Sequence, residues 1–190
     1  VFFSEEMYRQ KLRMMELQES LHTCVKEGFR EFELFYQPQV ETGTGAVIGA
    51  EALLRWHSPK HGEVSPAEFI PLLEESRLIT QVGTWVLEES MKQYRKWETY
   101  APDFIMSVNV SYIQLKENGL LKYLKARQRD HIPARGIILE LTESCWVPNL
   151  HFLNEEFREL HQAGYGVAID DFGDRVFITK PSKGTSGQCA

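Results

Sequence analysis

Cysteine is scarce in this chain: Cys24, Cys145 and Cys189 are all that 190 residues contain. An odd number without metal-type spacing excludes a disulfide scaffold and a zinc motif, and predicts reduced thiols in a cytoplasmic protein. Long apolar runs are missing as well. Mean hydropathy is −0.33, and no stretch approaches the ~20 residues that span a bilayer, so no membrane segment is expected here. Positive charge is not in excess. A net charge of −6 argues against a nucleic-acid polymer as partner, which needs a basic footprint. A small anion held through a bound cation stays open, because the cation reverses the local sign. No repeat, low-complexity tract or signal peptide is visible. With Val first, the sequence reads as an excised internal or C-terminal piece of a longer protein.

What is present is an ordinary apolar fraction, 43%, enough for one buried domain. From Glu5 to about Phe29 there is no Pro, and Leu12, Met15, Leu21 and Val25 recur at helical spacing. This stretch predicts a helix that either connects into the domain or is its first amphipathic helix. Strands are predicted over Phe32 to Gln37, Val47 to Trp56, Phe104 to Ser111, Gly136 to Glu143 and Gly166 to Phe172. Helices are predicted from Ser65 onward, then over Leu78 to Trp97, Ser111 to Arg127 and Asn149 to Ala163, with Gly164 as the stop. Ser65 can cap its helix, Pro66 suits the first turn and Glu68 can close a capping box. Such alternation implies βαβ units and a parallel sheet. An open doubly wound sheet would carry an early Gly-rich phosphate loop, and none is present. Glu74-Glu75 and Glu88-Glu89 read as exposed helix faces, His57 and His61 as solvated turn residues, and Trp56 as a packing residue.

Strands of a covered parallel sheet should be apolar, yet here each carries polar residues near its carboxyl end. Period two places Glu51, Leu53 and Arg55 on one face, Ser107, Asn109 and Ser111 on another, and Ile138, Glu140 and Thr142 on a third. Asp170 and Asp171 point to opposite sides unless the strand bends. Unpaired buried carboxylates cost several kcal/mol apiece, so gathering Glu51, Asn109, Glu140 and Asp170 demands a cation. All-oxygen donors select Mg²⁺ or Mn²⁺, and the strand ends are where barrel enzymes place their chemistry. Arg55 suits a phosphate. The residues thus predict metal-assisted chemistry on a phosphorylated or other anionic substrate, with two metals if Asp171 takes part.

The same residues carry a resemblance. Tyr36-Gln37-Pro38, Glu51-Ala52-Leu53-Leu54-Arg55-Trp56, Asn109-Val110-Ser111, Glu140-Leu141-Thr142-Glu143-Ser144 and Asp170-Asp171-Phe172-Gly173 resemble, in order and spacing, the successive motifs of the EAL domain. The resemblance implies an α/β fold, a TIM-like (β/α)8 barrel of which about five strands lie in this sequence. It implies hydrolysis of cyclic-di-GMP to linear pGpG with Mg²⁺ or Mn²⁺. Glu51, Asn109, Glu140 and Asp170 would ligate metal, with Asp171 on a second metal; Glu51, Asp170 and Asp171 form the catalytic set. Gln37, Leu53 and Arg55 would contact substrate, and Glu143 would brace the loop after Asp171. A homodimer is implied for the complete domain. Residues 1–30 read as a linker helix, similar at their start to the end of a GGDEF domain, and 31–174 as a partial EAL domain.

Residues 175–190 depart from the family pattern. Choosing permitted codons for them and shifting by one base yields Gly-Tyr-Ser-Ser-Leu-Asn-His-Leu-Lys-Glu-Leu-Pro-Val-Asn-Val, the family's continuation. The tail is therefore expected to be a frameshift product, of the gene or of its sequencing. The family's downstream Lys, Glu and Gln then have no counterpart, and negligible activity and poor stability are expected of this chain alone. The competing reading is a non-catalytic module that senses cyclic-di-GMP or docks a protein. An unrelated aldolase- or enolase-type barrel would need a Lys or His on a strand end, and the predicted strands offer none.

Overall fold

Leu17, Leu21 and Cys24, spaced three and four apart, decide how helix α1 (Glu5–Lys26) sits: all three are buried, while Met7, Tyr8, Leu12, Met14 and Met15 stay exposed. The computed structural model describes residues 5–117, 119–129, 134, 136–141 and 150–169. Predicted residues Asp170, Asp171 and Glu143 lie outside them, as does the tail. The elements that follow are β1 (Phe32–Val40), β2 (Val47–Ser58), β3 (Gly62–Val64), α2 (Pro66–Glu75), α3 (Ile79–Glu98), β4 (Ile105–Val110), α4 (Tyr112–Lys116), α5 (Gly119–Arg129), β5 (Ile137–Leu141), α6 (Leu150–Gln162) and β6 (Gly166–Ile169).

The strands form one sheet in the order β1-β2-β4-β5-β6, with β3 beside β2. From β2 through β6 the main pairings are parallel. β1 is the correction to the expected all-parallel sheet: it pairs antiparallel with β2. Residues 41–46 join the two, far fewer than the dozen or more that a parallel crossover needs. Thr44 Oγ1 donates to Glu41 Oε2 at 2.6 Å, Gly45 N to Glu41 O at 2.8 Å, and Gly45 takes the left-handed φ of 71° that closes the turn.

Other departures are local. β2 runs on to Ser58 and pairs with the short β3, so His57 lies on a strand, 3.5 Å from Glu33 Oε2, and not in a turn. His61 meets Ser20 Oγ at 3.2 Å and is part-buried. Ser65 starts α2 with Pro66 behind it but makes no side-chain cap. Glu68 instead accepts from Arg13 Nε at 2.8 Å, and that guanidinium holds its carboxyl below the ordinary range. The helix expected after Ser111 is two helices, α4 and α5. Gly164 ends α6 as expected, at φ 87°, with Tyr165 N donating to Leu160 O at 3.1 Å.

Burial separates the two faces of the sheet. Ala52, Trp56, Met106, Val108, Val110, Ile137, Leu139, Leu141 and Val167 are buried and belong to the main core with the helices. On the other face Glu51, Leu53, Arg55, Asn109 and Glu140 are only part-buried, while Ser107 and Ala168 of the same face are buried. Helix cover on one face is the wall of a (β/α) barrel, not a doubly wound sheet. Trp56, fully buried, fills its packing role among Phe32 and Phe69, and its indole N–H is satisfied by Glu31 Oε2 at 2.8 Å.

Candidate functional site

Register builds the site. Gln37 stands opposite Glu51 across β1 and β2, Glu51 beside Ser107 across β2 and β4, and Asn109 beside Glu140 across β4 and β5. With side chains alternating along each strand, these residues share the face that the helices leave uncovered, toward the carboxyl ends of the parallel strands. Leu53 faces Phe35 one step nearer the rim, and Arg55 faces Glu33.

The structure bonds two of these residues directly. Asn109 Nδ2 donates to Glu51 Oε1 at 2.7 Å, linking β4 to β2. That bond spends an amide proton and leaves the amide oxygen and the second carboxylate oxygen for another partner. Arg55 Nη1 donates to Leu54 O at 2.9 Å, and its guanidinium lies 5.6 Å from the centre of the Phe35 ring. A cavity of about 310 Å³ runs from Glu51, Arg55 and Asn109 at the strand ends in between the sheet and the helices, where Glu74 of α2 and Val82 and Val86 of α3 also line it. Gln37 is exposed and outside that lining.

The donor chemistry fits a hard divalent ion: Glu51, Asn109 and Glu140 offer oxygens only. Among the described residues no group of three or more His, Cys, Asp or Glu is gathered as a metal cluster, and the donors that are described number two carboxylates and one amide.

Some residues at the site have roles that the sequence reading did not assign. Ser111 caps α4 in a complete capping box: its Oγ accepts from Ile113 N at 3.2 Å, and Gln114 Oε1 accepts from Ser111 N at 3.1 Å. The Ser-x-x-Gln spacing announces this in the sequence. Glu74 corrects the expectation of an exposed face, being part-buried and accepting from Ser111 Oγ at 2.6 Å. Gly83 of α3 is matched to Gln114, since a Cβ there would collide with the Gln114 amide. Phe35 carried no sequence signal, because its place depends on the reversal of β1. Away from the site, burial pushes the Cys24 thiol up to about 11, which leaves it a packing residue.

Comparison with known proteins follows the same lines. The family model for the EAL domain matches residues 16–177. The bifunctional diguanylate cyclase/cyclic di-GMP phosphodiesterase MucR of Pseudomonas aeruginosa is 36% identical over 174 residues, 90% of this chain and 25% of the relative. The cyclic di-GMP phosphodiesterase PA2567 of the same organism is 34% identical over 143 residues, 75% of this chain and 24% of the relative. The chain thus spans about a quarter of the length of these relatives. Among solved structures, the MucR phosphodiesterase in complex with c-di-GMP superposes with a TM-score of 0.75 at 36% identity, covering 88% of this chain and 66% of that one. The cAMP-bound form of the EAL enzyme Bd1971 gives 0.73 at 32% identity, covering 90% and 48%.

Proposed function

The chain belongs to the EAL domain family, and we propose that its strand-end cluster serves the metal-dependent hydrolysis of cyclic-di-GMP to linear pGpG. The observation that carries this reading is the 2.7 Å bond from Asn109 to Glu51, with Glu140 next in register. Two oxygen-bearing side chains are bonded across β2 and β4 and a third stands beside them in register on β5, an arrangement that favours a shared cation over three separate structural roles.

In this reading Glu51, Asn109, Glu140 and Asp170 hold Mg²⁺ or Mn²⁺, and Asp171 serves a second ion. When bound, the metal neutralises phosphate charge and acidifies water for attack on the phosphodiester. Asn109 keeps Glu51 turned toward the cluster. Arg55 takes a phosphate through the guanidinium donors that Leu54 leaves free, and Leu53 and Gln37 contact the nucleotide. Glu143 braces the loop after Asp171. The apolar part of the cavity wall shields the reacting group from bulk water.

The proposed division is a leading helix in 1–30, the EAL domain in 31–174 and an altered reading frame in 175–190, which the nucleotide sequence across Gly173 tests. No helix among the described residues is long and apolar enough to cross a membrane. The reading puts the domain in the cytoplasm, as a homodimer when complete.

Mn²⁺ titration of the purified 190-residue protein tests the site. Wild type is expected to bind, with Glu51→Gln and Asn109→Ala weakening affinity about tenfold or more. Turnover of cyclic-di-GMP by these 190 residues alone is expected to be negligible, since the downstream Lys and Glu of the family have no counterpart in them. Binding of Mn²⁺ that ignores both substitutions would sink the ligand assignment. Nucleotide binding without turnover in the parental protein would point instead to a sensing or docking module.

A further inference from the structure

Glu74 is a part-buried carboxylate whose hydrogen-bond partner is a neutral hydroxyl. Among the described residues no cation pairs with it. Packing alone does not call for a charge in such a place, because desolvating a carboxylate without a cation is unfavourable. Its partner is Ser111, two residues beyond Asn109 in an extended backbone, φ −76° and ψ 143°, so the alternation of β4 is carried past the strand end.

The hydroxyl of Ser111 has one proton and two lone pairs. Its proton goes to Glu74 Oε1 at 2.6 Å, which turns a lone pair to Ile113 N. Its backbone N–H goes to Gln114, and Gln114 is buried against Gly83. The end of β4 is thereby tied to α2 through Glu74 and to α3 through Gln114. Glu74 also lines the cavity that Glu51, Arg55 and Asn109 line.

We propose that Glu74 is a positioning residue: through the Ser111 hydroxyl it fixes the strand end from which Asn109 meets Glu51, and so ties the cavity wall on α2 to the metal ligands. The inference rests on the reading of Glu51 and Asn109 as ligands given above. Groups that orient a ligand without touching the metal typically change its affinity by 10–100-fold when removed.

The test uses the full chain with Glu74→Ala, Glu74→Gln and Ser111→Thr. Gln keeps an acceptor oxygen for Ser111, and Thr keeps the hydroxyl. Two readouts are taken: the side-chain amide resonances of Asn109 in metal-free protein by NMR, and Mn²⁺ affinity by calorimetry. Glu74→Ala is expected to shift the Asn109 amide signals, speed their hydrogen exchange and weaken Mn²⁺ about tenfold, while Glu74→Gln and Ser111→Thr stay near wild type. Unmoved Asn109 signals in Glu74→Ala overturn the proposal, as does a failure of Glu74→Gln to restore them. Moved signals in a protein that binds no Mn²⁺ keep the positioning of Asn109 and remove the metal reading, so the two failures are told apart. If Glu74→Ala does not fold, Glu74→Leu carries the same comparison.

Discussion

Arg77 sits just past α2 at φ 62°, a left-handed backbone that costs a residue with a Cβ about 1–2 kcal/mol. Its guanidinium reaches Glu117 at 3.4 Å, but both side chains are exposed, and such pairs contribute at most about 1 kcal/mol. Arg77→Gly is therefore expected to stabilise the fold by roughly 0.5–1 kcal/mol, after the entropic cost of glycine is counted. Urea denaturation reads this directly, and an unchanged or lowered midpoint removes the strain account. At the same scale, Glu51, Asn109 and Glu140 were legible because polar residues in a covered strand stand out, and period two states which face they take. Glu74 was not legible. A glutamate pair on an amphipathic helix looks solvated until the helix is known to end above Ser111.

Helix α3 contains a glycine that its own propensity does not favour. Alanine in its place would gain about 1 kcal/mol as helix former, yet the Gln114 amide occupies the space a Cβ needs. Gly83→Ala is expected to lower stability by about 1–3 kcal/mol, the range for overpacking a filled site. Thermal unfolding with a raised midpoint would show that Gln114 moves aside freely. The capping box behind this fit is written in the sequence at Ser111 and Gln114, and the same pattern stands at Ser65 and Glu68. Both satisfy the Ser-x-x-Glu/Gln spacing. What separated them was tertiary: Arg13, 55 residues away, took Glu68. Strand direction was half legible in the same way. Helix-strand alternation rightly indicated parallel pairing for β2, β4, β5 and β6, while the short Gly43- and Gly45-bearing turn after β1 held the signal for a hairpin that alternation alone concealed.

Over the whole molecule, α1 is docked along only part of its length. Leu21 is 0% exposed and Leu12 is 43% exposed. Leu21→Ala is expected to cost about 2–5 kcal/mol, and Leu12→Ala less than about 0.5 kcal/mol, measured by chemical denaturation. Equal costs would show that the amino-terminal turns are packed as firmly as the rest. The reversed first strand gives this helix a particular relation to the cleft. Phe32 stands opposite Trp56 near the carboxyl end of β2, so residues 27–31 deliver the chain from α1 straight to the mouth, not to the closed floor. Only five residues separate the end of α1 from the strand that borders the doorway, so the entering helix and the rim of the cleft are covalent neighbours.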